Sequence, residues 1–176
     1  MMIEESIKAV IRDVPDFPKE GIVFKDISTI MMNPELSTEI LDHLVALYQD
    51  KGLTKVAGIE SRGFLFGYPL AMRLGLPFVL IRKKGKLPYK KISYSYDLEY
   101  GSATIEVHTD AISKGDKVLI HDDLLATGGS AAAAAELVQQ CGGKVEAFNF
   151  LVSLDFLNGN EKLKSYTDNI INLARY

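Results

Sequence analysis

The sequence predicts an α/β fold with a mainly parallel, twisted sheet that is flanked by helices. Short apolar runs alternate with helical segments of ten or more residues, which is typical of βαβ units. The runs at 55–59, 78–82 and 117–121 are apolar almost throughout, as in strands that are covered on both faces. No internal repeat or linker-like segment divides the 176 residues, so we expect a single domain over 1–176.

The first part of the chain is expected to hold two helices on either side of a loop. Apolar residues recur at helical spacing over 3–10, and two prolines end that helix. Residues 16–28 are predicted to form a loop with a short extended core at 22–24. A capping residue, a proline and an acid at 33–35 begin a second helix, which Gly52 closes.

The remaining chain alternates predicted strands with predicted helices. The strands are expected at 55–59, 78–82, 102–108, 117–121, 145–152 and 169–173, and the helices at 62–74 and 129–141. Asn158 and Gly159 predict a turn. Adjacent side chains on a strand point to opposite faces, so we expect the strand at 117–121 to stop near Asp122, letting Asp122 and Asp123 share one side.

Charge and composition exclude several classes of protein. Lys and Arg number 20 against 23 Asp and Glu, and the net charge of −3 argues against a nucleic acid partner. Cys141 is the only cysteine, which excludes an intramolecular disulfide and fits a reducing compartment. No signal-like or bilayer-length apolar run is present, so we expect no membrane partner and a cytoplasmic location.

The clearest chemical signal is at 118–130 (VLIHDDLLATGGS), where a strand runs into two acids and a glycine turn. Ligands of open α/β sheets bind beyond the carboxyl ends of the strands. Turn N–H groups, the hydroxyls of Thr127 and Ser130 and the next helix N-terminus would together cradle a phosphate monoester. Asp122 and Asp123 repel each other unless hydroxyl donors or a cation offset their charge. A ribose 5-phosphate meets both needs; an ordinary capped helix start is the alternative.

Two further loops carry cations beyond strand ends. Arg62, at the start of a predicted helix, can grip two phosphate oxygens, or it can be a surface arginine. The run 82–91 (RKKGKLPYKK) holds six cations in ten residues. Such a run is often a solvated face or a nucleic-acid patch. His121, inside a strand, is expected to be a core or supporting residue rather than a catalyst.

Segment 118–130 resembles the phosphoribosyl-pyrophosphate motif of type I phosphoribosyltransferases. Four more blocks are similar, in order, to the adenine-specific members of that family: DFPKEGIVFKDIS at 16–28, GIESRGFLFG at 58–67, LIRKKGKLP at 80–88 and YSYDLEYG at 94–101. The resemblance implies transfer of the 5-phosphoribosyl group from phosphoribosyl pyrophosphate to adenine, which gives AMP and pyrophosphate. It also implies Mg²⁺ as cofactor, bound through substrate and water, and a homodimer.

The resemblance assigns the phosphate and ribose contacts. Asp122 and Asp123 would hold the ribose diol and favour a positively charged sugar. The 5-phosphate would be held by Ala126, Thr127, Gly128, Gly129 and Ser130. The pyrophosphate would be bound by Arg62, Arg82, Lys83 and Lys86, with some of these cations reaching across a dimer interface.

The resemblance also implies a base site and a lid. Phe24 and Leu124 would sandwich the purine, and a backbone carbonyl near Val23 or Lys25 would accept from its amino group. Many relatives have arginine in place of Lys25, so a side-chain contact there is in doubt. A mobile hood at about 82–108 would carry Glu99 and Tyr100 over the base, with Glu99 a candidate proton donor.

Three other functions compete with this one. A phosphoribosyltransferase for hypoxanthine or xanthine would share the phosphate and ribose residues. A non-catalytic regulator could keep the fold, sense nucleotides and contact DNA or RNA through the basic run. A purely structural α/β domain would leave the paired acids without a purpose.

Overall fold

The computed structural model describes residues 2–98 and 101–176 of the chain. The helices are α1 (Ile3–Val10), α2 (Ser28–Met31), α3 (Pro34–Tyr48), α4 (Gly63–Leu74), α5 (Gly129–Gln140) and α6 (Gly159–Leu163), with a 3₁₀ helix at Asp155–Leu157. The strands are β1 (Arg12–Pro15), β2 (Val23–Asp26), β3 (Lys55–Ile59), β4 (Phe78–Lys83), β5 (Lys91–Asp97), β6 (Ser102–His108), β7 (Lys117–Leu125), β8 (Lys144–Ser153) and β9 (Ile170–Arg175).

Seven strands form the central sheet, in the order β5-β6-β4-β3-β7-β8-β9. The five strands from β4 to β9 in that order pair in parallel, whereas β6 pairs antiparallel with both β4 and β5. The prediction of a mainly parallel sheet is therefore confirmed. Strands β1 and β2 form a separate antiparallel hairpin.

Apolar side chains fill both faces of the sheet, as the continuous apolar strands predict. One core cluster lies between the sheet and α5, and the other lies between the sheet and α1, α3 and α4. The helix ends follow the local sequence signals. Asn33 Oδ1 accepts from the Leu36 N–H at 3.0 Å at the start of α3, and Gly75 ends α4 in the left-handed conformation that glycine favours.

The expectation that the strand at 117–121 stops near Asp122 is wrong, because β7 continues to Leu125. Its ladder with β3 ends at His121, but its ladder with β8 runs on to Leu125. The last residues of β7 therefore project beyond the end of β3. Asp122 and Asp123, both on this overhang, line one cavity without a break in the strand.

Four elements lie where sequence analysis predicted loops or nothing: β1, β5, α2 and α6. Three of them span only four or five residues, too few for hydrophobic periodicity to show. The extended core expected at 22–24 is shifted by one or two residues into β2, and the predicted turn at Asn158 leads directly into α6. Across the described ranges, no helix has the length and apolar character needed to cross a bilayer.

Candidate active site

The three loops singled out in the sequence meet at one edge of the sheet. They follow the parallel strands β3, β4 and β7, whose carboxyl ends lie side by side because these strands are neighbours. A cavity of about 290 Å³ there is lined by residues of all three segments: Ile59, Glu60, Ser61, Arg62, Lys83, Asp122, Asp123, Leu124 and Ser130. A second cavity, of about 360 Å³, shares Asp122, Leu124 and Ser130 with it and continues along the glycine turn.

The glycine turn has the form of the predicted phosphate cradle. Gly128 adopts φ 79°, a left-handed conformation, and Gly129 begins α5. The first N–H groups of a helix have no partner within it, so those of α5 are directed at the larger cavity. Ser130 Oγ is hydrogen-bonded at 2.8 Å to the hydroxyl of Tyr96, which reaches the turn from β5.

The two acids occupy different environments. Asp123 is 4% exposed, and the Nε of Arg62 donates to its Oδ2 at 2.5 Å. Asp122 is half-buried, and its Oδ1 accepts from the backbone N–H of Asp123 at 2.9 Å. Burial and then the neighbouring charge of Asp123 raise the pKa of Asp122 well above its usual range. A hydroxyl donor or a cation at Asp122 would relieve both effects.

The first turn of α4 packs closely against this acid. A Cβ on Gly63 would lie 2.9 Å from Oδ1 of Asp122 and 2.8 Å from the carbonyl oxygen of His121, so a side chain there would displace β7. The guanidinium of Arg62, just before this glycine, also lies over the ring of Phe24 at 5.6 Å. Arg62 thus links the acids to the segment predicted to hold the base.

The basic run divides into cations of different environment. Arg82 is held by Glu60 at 3.1 Å and donates to the carbonyl of Lys86, whereas Lys83 lines the smaller cavity. The backbone N–H of Lys83 also donates to Glu60 at 2.7 Å. Burial alone would raise the pKa of Glu60, but the hydrogen bonds from Lys83 and Arg82 outweigh it and lower the pKa below its usual value. Lys86 lines neither of the two cavities.

The base segment lies on β2, and strand alternation separates its side chains. Phe24 faces Arg62 and also contacts Phe17 edge-on, with ring centroids 5.2 Å apart. Lys25 points to the opposite face, where its ammonium lies 2.7 Å from Asp13. The substrate contact expected of Lys25 stays a prediction, with its backbone carbonyl and that of Val23 as the candidates that remain on the side of the base. Leu124 lines both cavities.

Three residues at the site were not found from the sequence. Tyr96 lies in the fourth similar block but had no assigned role, and Glu60 was read only as part of the Arg62 loop. Lys162, on α6, lines the larger cavity. It arrives there because α6 packs on the turn: a Cβ on Gly159 would overlap the carbonyl oxygen of Ala126. No local sequence pattern predicts this contact, since Ala126 and Gly159 are distant in sequence.

Other predicted residues lie away from the cavities or outside the described part. His121 is completely buried, with Nδ1 bonded to Asn149 Oδ1 at 2.8 Å, and burial lowers its pKa to about 4. The expectation of a core histidine is confirmed. Glu99 and Tyr100 lie outside the described residues. Within the described ranges, no cluster of three or more His, Cys, Asp or Glu side chains could hold a metal ion.

Comparisons with known proteins agree with this geometry. The model of the phosphoribosyl transferase domain matches residues 28–172. The chain is 54% identical over 160 residues to the adenine phosphoribosyltransferase of Phocaeicola vulgatus, which covers 91% of this chain and 92% of that protein. Among solved structures, the adenine phosphoribosyltransferase of Thermoanaerobacter pseudethanolicus is 46% identical, with a TM-score of 0.93 over 98% of this chain and 99% of that one. The enzyme of Giardia lamblia, solved with 9-deazaadenine, is 40% identical, with a TM-score of 0.94 over 100% and 98%.

Proposed function

The chain belongs to the adenine phosphoribosyltransferases, in the phosphoribosyl transferase domain family, and from that membership we propose which residues bind and activate each substrate. The reaction moves the 5-phosphoribosyl group of phosphoribosyl pyrophosphate to adenine, forming AMP and pyrophosphate in purine salvage. The observation that carries the assignment is the continuity of the two cavities through Asp122, Leu124 and Ser130. One phosphorylated sugar can therefore lie with its phosphate on the turn and its diol at the acids.

The larger cavity would hold the 5-phosphate. Thr127 and Ser130 supply hydroxyls, and the backbone of Ala126, Gly128 and Gly129 brings N–H groups to the same point. Lys162 adds a positive charge from α6, and among the described residues its ammonium has no ion-pair partner. Fixing this end of the substrate sets the position of the sugar carbon that reacts.

The smaller cavity would hold the ribose and the pyrophosphate. The bond between the sugar carbon and pyrophosphate breaks first, its electron pair leaves with pyrophosphate, and the sugar becomes oxocarbenium-like. Asp122 and Asp123 hold the diol and stabilise that positive charge, while Arg62 and Lys83 stabilise the leaving anion. The N9 atom of adenine then attacks from the opposite face and bonds to the sugar carbon, and the ring N–H proton of adenine is released to solvent. Arg82 contributes by holding Glu60 and the adjacent loop.

Magnesium fits this site as part of the substrate. Asp122 lacks an ion pair in the described part of the chain, so its carboxylate suits a water molecule of a Mg²⁺ ion bound to phosphoribosyl pyrophosphate. The ion would neutralise pyrophosphate charge and help it to depart. We propose that the ion arrives with the substrate, and that the protein contacts it through Asp122 and Asp123.

The base would lie between Phe24 and Leu124. Its amino group would donate to a backbone carbonyl at Val23 or Lys25. Hypoxanthine presents an acceptor at that position, and two acceptors facing each other cost about 1–3 kcal/mol when buried. Adenine is thereby preferred over hypoxanthine by the backbone itself. Glu99 and Tyr100, as residues of the proposed hood over about 82–108, would close over the base.

The proposed assembly is a homodimer in the reducing cytoplasm. Leu65, Tyr68 and Met72 form an exposed apolar stripe on α4, at the spacing of one helix face. Lys86 lies outside the cavities of its own chain, so it suits a contribution to a partner's site. The compartment rests on Cys141 being a free thiol.

An absorbance assay tests the function and the cradle together. Purified protein with phosphoribosyl pyrophosphate and Mg²⁺ should convert adenine, with much slower turnover of hypoxanthine, guanine or xanthine. Thr127→Val should raise the KM for phosphoribosyl pyrophosphate roughly tenfold or more, because a hydrogen bond to a charged group is lost. Thr38→Val, on the exposed side of α3, is the matched control and should leave that KM unchanged. An unchanged KM in Thr127→Val would place the phosphate elsewhere.

A further inference from the structure

The hairpin of β1 and β2 carries Phe24 but belongs to a two-stranded sheet of its own. Isolated hairpins are marginally stable in water. No ladder hydrogen bonds join this hairpin to the seven-stranded sheet in the described residues. Apart from its covalent connections to α1 and α2, the hairpin is therefore held in position by side-chain contacts.

Lys25 has the least exposed charged side chain of this hairpin. Its side chain is 12% exposed, although lysines normally keep their ammonium in water. The ammonium lies 2.7 Å from Oδ1 of Asp13, its cross-strand partner, and 4.1 Å from the ring centroid of Tyr176. A cation held between a carboxylate and an aromatic face is attracted to both.

Tyr176 is fixed to the main sheet. Its N–H donates to the carbonyl of Ser153 at 2.9 Å, and its own carbonyl accepts from the N–H of Asp155 at 2.8 Å. The ammonium of Lys8, on α1, lies 5.2 Å from the same ring. The ring is thus a fixed point on the body of the protein, and of the two lysines beside it only Lys25 belongs to the hairpin.

We infer that Lys25 and Tyr176 form an anchor that sets the position of β2, which makes them positioning residues for the purine. The inference rests on the proposed function, in which Phe24 and the carbonyls of β2 bind adenine. The side chain of Lys25 acts from the face opposite Phe24, so it touches no substrate. Loosening the anchor moves the base contacts, whereas the phosphate and ribose contacts stay in place because Arg62 remains bound to Asp123 of the main sheet.

The test compares two anchor variants, Tyr176→Leu and Lys25→Met. Each should raise the KM for adenine about three- to tenfold, in line with the strength of a partly desolvated cation–aromatic contact. The KM for phosphoribosyl pyrophosphate should stay within about twofold of the parent, since β2 does not line the cavities that hold it. Tyr176→Phe keeps the ring and should restore the parental KM for adenine.

Lys8→Met is the matched control, because Lys8 contacts the same ring from α1 and not from the hairpin. It should leave both KM values unchanged. Hydrogen exchange provides a readout that does not depend on turnover. Amides of β1 and β2 should exchange faster in Tyr176→Leu and Lys25→Met than in the parent or in Lys8→Met.

Unchanged exchange in both anchor variants would overturn the inference, and so would equal increases of the two KM values, which indicate general destabilisation. Faster exchange together with an unchanged KM for adenine would also overturn it, since the anchor would not position the base. A parent protein that fails to convert adenine would instead refute the proposed function. Failure of the anchor inference and failure of the proposed function therefore give different results.

Discussion

At the scale of single residues, the two adjacent acids of β7 differ in their countercharge. Asp123 has the guanidinium of Arg62 at 2.5 Å, whereas Asp122 is half-buried and has no ion pair with any residue that the structure describes. Removing the charge from each should therefore have opposite effects on the ligand-free protein. A buried carboxylate without a countercharge, as at Asp122, lowers the stability of the fold. A paired carboxylate, as at Asp123, neutralises the charge of its partner Arg62.

Asp122→Asn should raise the Tm of the ligand-free protein at pH 8 by roughly 2–4 °C, which corresponds to about 1 kcal/mol for a chain of this size. The folded pKa of Asp122 lies above the unfolded value, so the folded state binds the proton more tightly. Ionisation of Asp122 therefore lowers the free energy of unfolding. This loss of stability is absent below the pKa of the unfolded state and complete above the pKa of the folded state. The advantage of the variant should therefore shrink as the pH falls toward 4. Thermal melts of parent and variant across that range measure it.

Asp123→Asn is the matched variant for this prediction. It leaves Arg62 without its carboxylate and should lower the Tm at pH 8. Both variants should lose activity, because both acids are proposed to hold the ribose diol. Equal melting temperatures for parent and Asp122→Asn at pH 8 would contradict the assignment of an uncompensated charge to that position.

Residue types predicted which groups meet at the candidate site, but not where each side chain points. The acids, the turn and Arg62 were found because few other roles account for those residues at strand ends. The Asp13 contact of Lys25 was not predicted, because the extended core was expected to end at residue 24 and only the alternation of β2 separates Lys25 from Phe24. The position of Lys162 could not be predicted from the sequence, because packing between Gly159 and Ala126 brings it to the glycine turn.

At the scale of elements, β5 connects the proposed hood to the phosphate cradle. Tyr96, near its end, bonds to Ser130 at 2.8 Å, and a Cβ on Gly129 would lie 3.5 Å from the tyrosine ring. When the tyrosine hydroxyl donates to Ser130, the serine proton is free to point at a phosphate. Hydrogen bonds arranged in such a chain strengthen one another.

Tyr96→Phe should raise the KM for phosphoribosyl pyrophosphate about two- to fivefold, which matches the loss of one neutral hydrogen bond. The KM for adenine should not change, since Tyr96 lies on the phosphate side of the site. Tyr94→Phe is the control: Tyr94 lies on the same face of β5, and its hydroxyl makes no hydrogen bond within the described residues. An equal effect of both substitutions would indicate general loosening of β5.

The long elements were predictable and the short ones were not. The apolar runs of β3, β4 and β7 and the caps of α3 and α4 carry their own signals. The length of β7 could not be read from its residues, because it depends on β8 continuing to pair after β3 has ended. That overhang decides how the acids are presented.

At the scale of the whole molecule, the parallel order of strands brings distant loops to one edge, so the approximate site followed from the fold class. How the molecule associates is a separate question. Leu65, Tyr68 and Met72 lie on one face of α4, and Leu80 of β4 is also exposed. Met72 has the largest exposed fraction of these side chains, at 63%. An exposed apolar patch of this kind commonly marks a protein–protein interface.

The double variant Tyr68→Lys with Met72→Lys should shift the proposed dimer to monomer in sedimentation velocity at micromolar concentration, because burying two ammonium groups at an interface is unfavourable. Phe156→Lys is the control: Phe156 is 71% exposed on the 3₁₀ helix, away from α4, so its charge should leave the sedimentation coefficient unchanged. If Lys86 acts across the interface, the monomer should also bind pyrophosphate more weakly while keeping its melting temperature. A parent protein that sediments as a monomer would contradict the dimer and assign the apolar stripe to another partner.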